Sequence, residues 1–280
     1  MVILLVLATF SVSTSPIIAR LLSEVPAVGI SFWRMAIGAT ILWIYSKFKP
    51  TAALSTRNRN YTIIGGIFLG IHFQFFFESI KLTTIANATF LGTLAPLFTL
   101  CLEKFLLKRD IKKNMIFALV IIFTGSLIIV SDQFDASSNY TRGNLYALIC
   151  SLWIAIALMI SENVRKDSST VSFSRTLFTS AAMTLMIISY FMGESLLGYS
   201  QQDYFGLFLL GLIPTVFGHS VFYFALRYVQ PTIVASFPLG EPIIASIAAY
   251  FLFSEEIGFS IILGGLVTLI GLSILVKLKK

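Results

Sequence analysis

Apolar residues fall along this chain in long blocks separated by short polar or charged breaks, near positions 1–20, 27–46, 61–80, 84–104, 114–131, 143–162, 172–192, 204–226, 231–253 and 259–276. Crossing a hydrocarbon core of ~30 Å takes about 20 apolar residues in a helix, so the pattern predicts ten transmembrane helices with short connections. One boundary needs argument. The apolar run from Tyr61 to Leu107 is too long for one crossing, and Lys81-Leu82-Thr83-Thr84 is the polar break that divides it into two spans of proper length. A tight turn is expected there.

Composition points the same way. The 280 residues are 57% hydrophobic and 12% charged, with mean hydropathy +0.89, whereas soluble domains carry roughly 25% charged residues. The expected fold class is therefore an all-α membrane protein, with little length left for a soluble domain. The net charge of +7 raises the question of nucleic acid, but no basic stretch is interleaved with aromatics on a polar segment. No nucleic-acid partner is expected, and the cations read instead as topology signals. With the N-terminus inside, the inner loops and C-terminal tail hold fifteen Lys and Arg and the outer loops three, namely Arg20, Lys81 and Arg142. Both termini are thus expected in the cytoplasm. The apolar run from Met1 to about Ile18 has no preceding basic region, is long for a signal-peptide core and lacks a convincing cleavage site, so it is taken as the first helix. Cys101 and Cys150 sit inside apolar segments and form neither a disulfide framework nor a metal site.

The chain also resembles itself. At an offset of 146 residues, Phe123-Thr124-Gly125 overlies Leu269-Ile270-Gly271, Pro96 overlies Pro242, Lys81 overlies Arg227 and Gly65 overlies Gly211. Nearer the start of each half the offset is 141, where Phe32-Trp33-Arg34 matches Phe173-Ser174-Arg175. Five helices is an odd number, so the second unit must cross the membrane in the opposite sense to the first. The charges follow: Lys108-Arg109 aligns with Ser254-Glu255, cationic on the inner side and anionic on the outer. Two inverted repeats, 1–131 and 142–277, are expected, with a substrate site near the midplane between them.

The Phe-Trp-Arg of the second helix, the Ala-Asn-Ala-Thr-Phe-Leu-Gly-Thr-Leu-Ala-Pro run at 86–96, Gly-Glu-Pro at 240–242 and Ser-Glu-Glu-Ile at 254–257 resemble the EamA-type proteins of the drug/metabolite transporter superfamily. The resemblance covers essentially the whole chain and is specific for the family but not for a substrate. It implies a transporter, most often an exporter of amino acids and related metabolites, though some members import. Two departures stand out: Lys108-Arg109 where the family often has Gly-Glu, and Phe10-Ser11-Val12 where Trp-Gly is common.

Ionisable residues within spans are expensive and usually face the bundle interior or a water-filled cavity, which makes each one a candidate. Glu241, about ten residues into the ninth helix beside Pro242, is placed to hold an ammonium group or a proton, or else to tie the helix to a neighbour. Pro96, Pro242 and Pro16 are expected to kink or loosen their helices. The hydroxyls of Ser11, Ser13, Thr14 and Ser15 are expected to satisfy carbonyls freed by Pro16. Gln74, Glu78 and Lys81 form one polar stripe on the third helix, either a substrate surface or a local pair at its outer end. His72 and His219 lie on repeat-related helices, one position out of register, with Tyr223 one turn from His219. Both are candidates for proton coupling or for interior hydrogen bonds. Arg34, beside Trp33, either binds a carboxylate or snorkels to the outer interface with Trp33 as a belt residue; the interface is the favoured reading. Arg175, Asn87 and Thr89 read as interface or turn residues.

The chain has no phosphate-cradling loop, no metal-ligand cluster and no nucleophile–base spacing, so no cofactor, no metal and no enzymatic activity are expected. Secondary transport of a small polar organic molecule is the leading reading, with protons as a candidate coupling ion, the lipid bilayer as surroundings and a homodimer as a candidate assembly. The rival is a lipid-embedded transferase using Glu241 and a histidine as acid and base.

Overall fold

The computed structural model describes residues 1–110, 112–131 and 138–277, and all regular structure among them is helical. In chain order the segments are α1 (Val2–Leu21), α2 (Ala27–Phe48), α3 (Thr56–Leu82), α4 (Ile85–Phe105), α5 (Lys113–Ser131), α6 (Ser138–Arg165), α7 (Thr170–Met192), α8 (Gln201–Ala225), α9 (Pro231–Phe253) and α10 (Phe259–Lys277). Eight of these are long and apolar enough to cross a membrane; α5 and α10 contain the shorter apolar stretches Lys113–Gly125 and Ile262–Gly271. The cations Lys279 and Lys280, part of the charge count, lie outside the described residues. Large apolar side chains face outward, Phe48 at 85% and Tyr190 at 83% exposed, as lipid contact requires and water would penalise.

The expected tight turn falls at Thr83-Thr84. Thr84 caps α4 by accepting the Asn87 N–H at 3.2 Å, and Arg20 donates to the Thr83 carbonyl at 2.8 Å. Three spans are not regular helices. α4 divides into Ile85–Gly92 and Ala95–Phe105, and α9 into Pro231–Ser236 and Glu241–Phe253 joined by a 3-10 turn at Phe237–Gly240. Pro96 and Pro242 each sit in the first turn of the second half, where a missing N–H is tolerated. They follow the breaks rather than kinking a helix interior. α8 changes to a π-helix over Gly211–His219, around Pro214, which the sequence pattern did not single out. α1, by contrast, runs through Pro16 without interruption. Its hydroxyls are also used differently from expectation: Ser13 donates to the Thr9 carbonyl and Thr14 to the Ser11 carbonyl, while Ser15 accepts from Arg34.

Packing brings the two halves of the chain together. α3 lies against α6 and α7, α8 against α1 and α2, and α5 against α10. α4 and α9 pack with the first half of each against the second half of the other. Glycine permits the closest approaches: a Cβ on Gly66 of α3 would come 2.5 Å from Ser180 Cβ and 2.6 Å from the Leu177 carbonyl of α7. On α2, Gly38 lets Thr215 of α8 reach the helix backbone, a Cβ there lying 2.7 Å from Thr215 Cγ2. Small residues at helix crossings do this generally in membranes, where dispersion contact replaces the hydrophobic effect.

Candidate substrate cavity

The broken helices meet around a cavity of about 70 Å³. Its wall is apolar over most of its extent, from Val12, Phe73, Phe76, Ile154, Leu158 and Phe222, and carries a few polar groups: Ser15, Arg34, His72, Thr93, His219, Tyr223 and Glu241. Few polar groups on an apolar wall is the usual make-up of a small-molecule site.

Arg34 is 1% exposed, which overturns the expectation that it snorkels to the interface. A buried guanidinium must replace its water shell, and three helices supply the replacements. Nε donates to Thr215 Oγ1 at 2.9 Å, Nη1 donates to Ser15 Oγ at 2.6 Å, and the guanidinium carbon stands 4.1 Å from the centroid of Phe73 and 5.7 Å from that of Phe77. Nη2 lies 3.5 Å from His219 Nδ1, but that nitrogen also lies 3.1 Å from the Pro214 carbonyl. A single ring nitrogen cannot donate to the carbonyl and accept from Arg34 at once. The shorter contact places the proton on Nδ1, directed at Pro214, and leaves Nη2 for a ligand.

Glu241, 7% exposed, opens the second half of α9 and lines the same cavity. No hydrogen bond or ion pair within 4.0 Å joins it to Arg34 among the described residues, so the two side chains share the cavity without closing on each other. Tyr223, 1% exposed, also lines the wall, and its hydroxyl has no hydrogen-bond partner among the described residues. A phenol of that kind is ready to bind an incoming group, because no described residue satisfies it. His72 donates from Nδ1 to the Cys150 carbonyl at 2.9 Å. Both histidines therefore border the cavity despite their different register.

Gln74, Glu78 and Trp33 are not among the cavity-lining residues. Gln74 donates to Glu78 at 3.1 Å and contacts Met192 of α7, placing this stripe between α3 and α7. Lys81 does not complete the pair; its ammonium donates to the Ser23 carbonyl at 2.7 Å. Trp33 donates to the Leu196 carbonyl at 2.7 Å and packs edge-on against Tyr204, at the periphery. Sequence reasoning missed Thr215 and Thr93. The signal for Thr215 was Pro214 beside it, since a proline inside an apolar run disturbs the helix and frees carbonyls; Thr215 Oγ1 donates to one of these, Leu210, at 2.9 Å.

Broken helices enclosing a charged cavity, in a chain whose helices are apolar outside, define a multi-pass membrane protein of transporter type. The EamA-like transporter family profile matches residues 1–131 and again 141–277. The chain belongs to the EamA-like transporter family. Among proteins of known name it is similar to an uncharacterized transporter of Archaeoglobus fulgidus, 23% identical over 89% of this chain and 88% of that one. It is also similar to the pseudopaline exporter CntI of Pseudomonas aeruginosa (22%; 84% and 81%) and to the S-adenosylmethionine uptake transporter of Rickettsia prowazekii (24%; 81% and 74%). A crystal structure of a protein 15% identical superposes with TM-score 0.79 over 99% of this chain and 96% of that one, which is a likeness of fold.

Proposed function

We propose that this chain is a secondary transporter of small zwitterionic organic metabolites, amino acids or their derivatives, working in export across a bacterial-type inner membrane. The observation that carries the reading is the placement of Arg34 and Glu241 in one cavity without a bond between them. Arg34 offers Nη2 to a carboxylate, Glu241 offers a carboxylate to an ammonium, Tyr223 offers its hydroxyl, and Phe73, Phe76 and Phe222 receive an apolar remainder. One named relative is an exporter and another takes up S-adenosylmethionine, which by its name is an amino-acid derivative. Direction in this chain follows the export preference that the family resemblance implies.

The architecture proposed is two inverted five-helix repeats, 1–131 and 142–277, crossing the membrane ten times with both termini in the cytoplasm. The separate family matches to the two halves support it, as do the contacts: exchanging α1 with α6, α2 with α7, α3 with α8, α4 with α9 and α5 with α10 maps the main packing pairs onto one another. Arg34 comes from the first repeat and Glu241 from the second, so the cavity lies between them. Protons are the proposed coupling ion, with Glu241 and the two histidines as the groups that would carry them.

Flux of labelled amino acids into and out of proteoliposomes under imposed pH gradients tests the function. Saturable, gradient-dependent movement is expected; a reconstituted chain that moves no amino acid or derivative under any gradient would remove the reading. A reporter fused after Lys280 that is reached only from the outside would overturn the topology.

A further inference from the structure

Two arginine–glutamate pairs lie at opposite ends of the bundle, and neither belongs to the cavity wall. At one end Arg109, in the connection after α4, holds both oxygens of Glu162 at 2.7 and 2.9 Å; Glu162 is in the last turn of α6 and is 6% exposed. Arg109 also stands 3.5 Å from Glu103, which accepts the Thr232 backbone N–H at the start of α9 at 3.3 Å. At the other end Arg20, in the last turn of α1, stands 3.7 Å from Glu255, in the connection after α9.

The two arrangements correspond. Arg109 and Glu255 are 146 residues apart, the repeat offset, and occupy matching connections; Arg20 and Glu162 occupy the last turns of the matching helices α1 and α6. At the Arg109 end a carboxylate, that of Glu103, also holds the N-terminus of the broken helix α9. Only the signs are exchanged between helix and connection. As a result, each pair takes its arginine from the first half of the chain and its glutamate from the second, and each ties the halves together at one end of the bundle.

We infer that Arg109–Glu162 and Arg20–Glu255 are charge-exchanged latches, one for each mouth of the central cavity, whose alternate release exposes the cavity first to one side and then to the other. The inference rests on the inverted-repeat transporter reading. Charge exchange serves such a device well: one protein carries both latches, yet each latch pairs an arginine of the first half with a glutamate of the second, never an arginine with its equivalent. The latches are unequal in this structure. In Arg109–Glu162 one guanidinium nitrogen donates to both oxygens of a buried carboxylate, with the arginine side chain 23% exposed, whereas Arg20–Glu255 is a single long contact with side chains 31% and 26% exposed. The Arg20 mouth is therefore the first to release.

The experiment reads accessibility and needs no solute. In the full chain, with Cys101→Ser and Cys150→Ala removing the native thiols, Thr93→Cys places a single thiol on the cavity wall. Its rate of reaction with a membrane-impermeant cationic methanethiosulfonate is measured from each face, in right-side-out and inside-out vesicles. Glu255→Gln and Arg20→Gln are expected to raise the rate from the Arg20 face about tenfold and to lower it from the other, by shifting population between the two open states. Glu162→Gln is expected to do the reverse. Should that variant fail to insert, Glu162→Asp keeps the charge, withdraws the contact and is expected to shift the rate in the same direction. Shifts toward the same face from both latches, or no shift from either, would overturn the latches. Opposite shifts in a protein that moves no amino acid would keep the latches and remove the proposed substrate class instead.

Discussion

Arg34 of α2 and Thr215 of α8 are joined by a 2.9 Å hydrogen bond from Nε to Oγ1, between residues 181 apart in the chain. The bond exists because Gly38 lets α8 approach α2 and because the π-helical stretch around Pro214 turns Thr215 toward the guanidinium. It fixes one edge of the fork, so that the other edge meets the cavity. A π stretch interrupting an α-helix often marks such a site.

Thr215→Val keeps the shape and removes the acceptor. A hydrogen bond to a charged group contributes about 1.5–3 kcal/mol, so half-saturation for solute is expected to rise by roughly tenfold or more. Thr215→Ser should restore it. The check is the concentration dependence of flux at matched protein abundance; a Val variant that loses maximal rate but keeps half-saturation would show that Thr215 does not position Arg34.

Arg34→Lys keeps a positive charge but not the planar fork, and a single ammonium cannot serve Ser15, Thr215 and a ligand with the same geometry. Transport is expected to fall at least about tenfold, by the same hydrogen-bond magnitude. Arg34→Leu should abolish it. Competition by a solute lacking its carboxylate should be affected less than competition by the intact zwitterion, and equal effects on both would argue against carboxylate binding.

Glu241→Gln removes the charge and keeps the volume. Insertion should be intact, while either dependence on the pH gradient or recognition of the cationic group weakens. Flux is measured across gradients and with an analogue lacking the amine. Wild-type flux with an unchanged pH response would return Glu241 to a structural role.

Tyr223→Phe deletes a buried hydroxyl that has no partner among the described residues, so stability should be unchanged or slightly raised. Affinity for solute should fall at the same time. Gln74→Leu, outside the cavity, should leave solute competition alone. The measurements are thermal unfolding in detergent and competition flux; the reverse pattern, with Gln74 controlling competition, would move the site to the face between α3 and α7.

Gly66→Val should act on folding rather than transport. The added side chain meets the Leu177 carbonyl and Ser180 at distances no side-chain rotation relieves, and overpacking of this kind costs about 1–3 kcal/mol. Monodisperse protein recovered after detergent extraction should drop severalfold, whereas Gly193→Ala, at a left-handed helix end in open space, should lose only the modest stability of a strained turn.

The helices, their order and the tight turn at Thr83-Thr84 were legible in the sequence because each follows from local composition: an apolar run must become a helix in lipid, whatever it packs against. Glu241, His72, His219 and Tyr223 were legible as candidates for the same reason, since polar groups in apolar runs need an interior. Which of those interiors is the cavity was decided by the tertiary structure alone. Arg34 looked like an interface residue from its neighbour Trp33, and only the approach of α1 and α8, bringing Ser15 and Thr215, makes a buried guanidinium affordable. Gln74 and Glu78 carry the same residue chemistry as cavity ligands, but the rotation of α3 turns them toward α7 and leaves His72 and Phe73 on the cavity side. That rotation is set by glycine contacts with neighbouring helices, which a one-dimensional pattern does not contain.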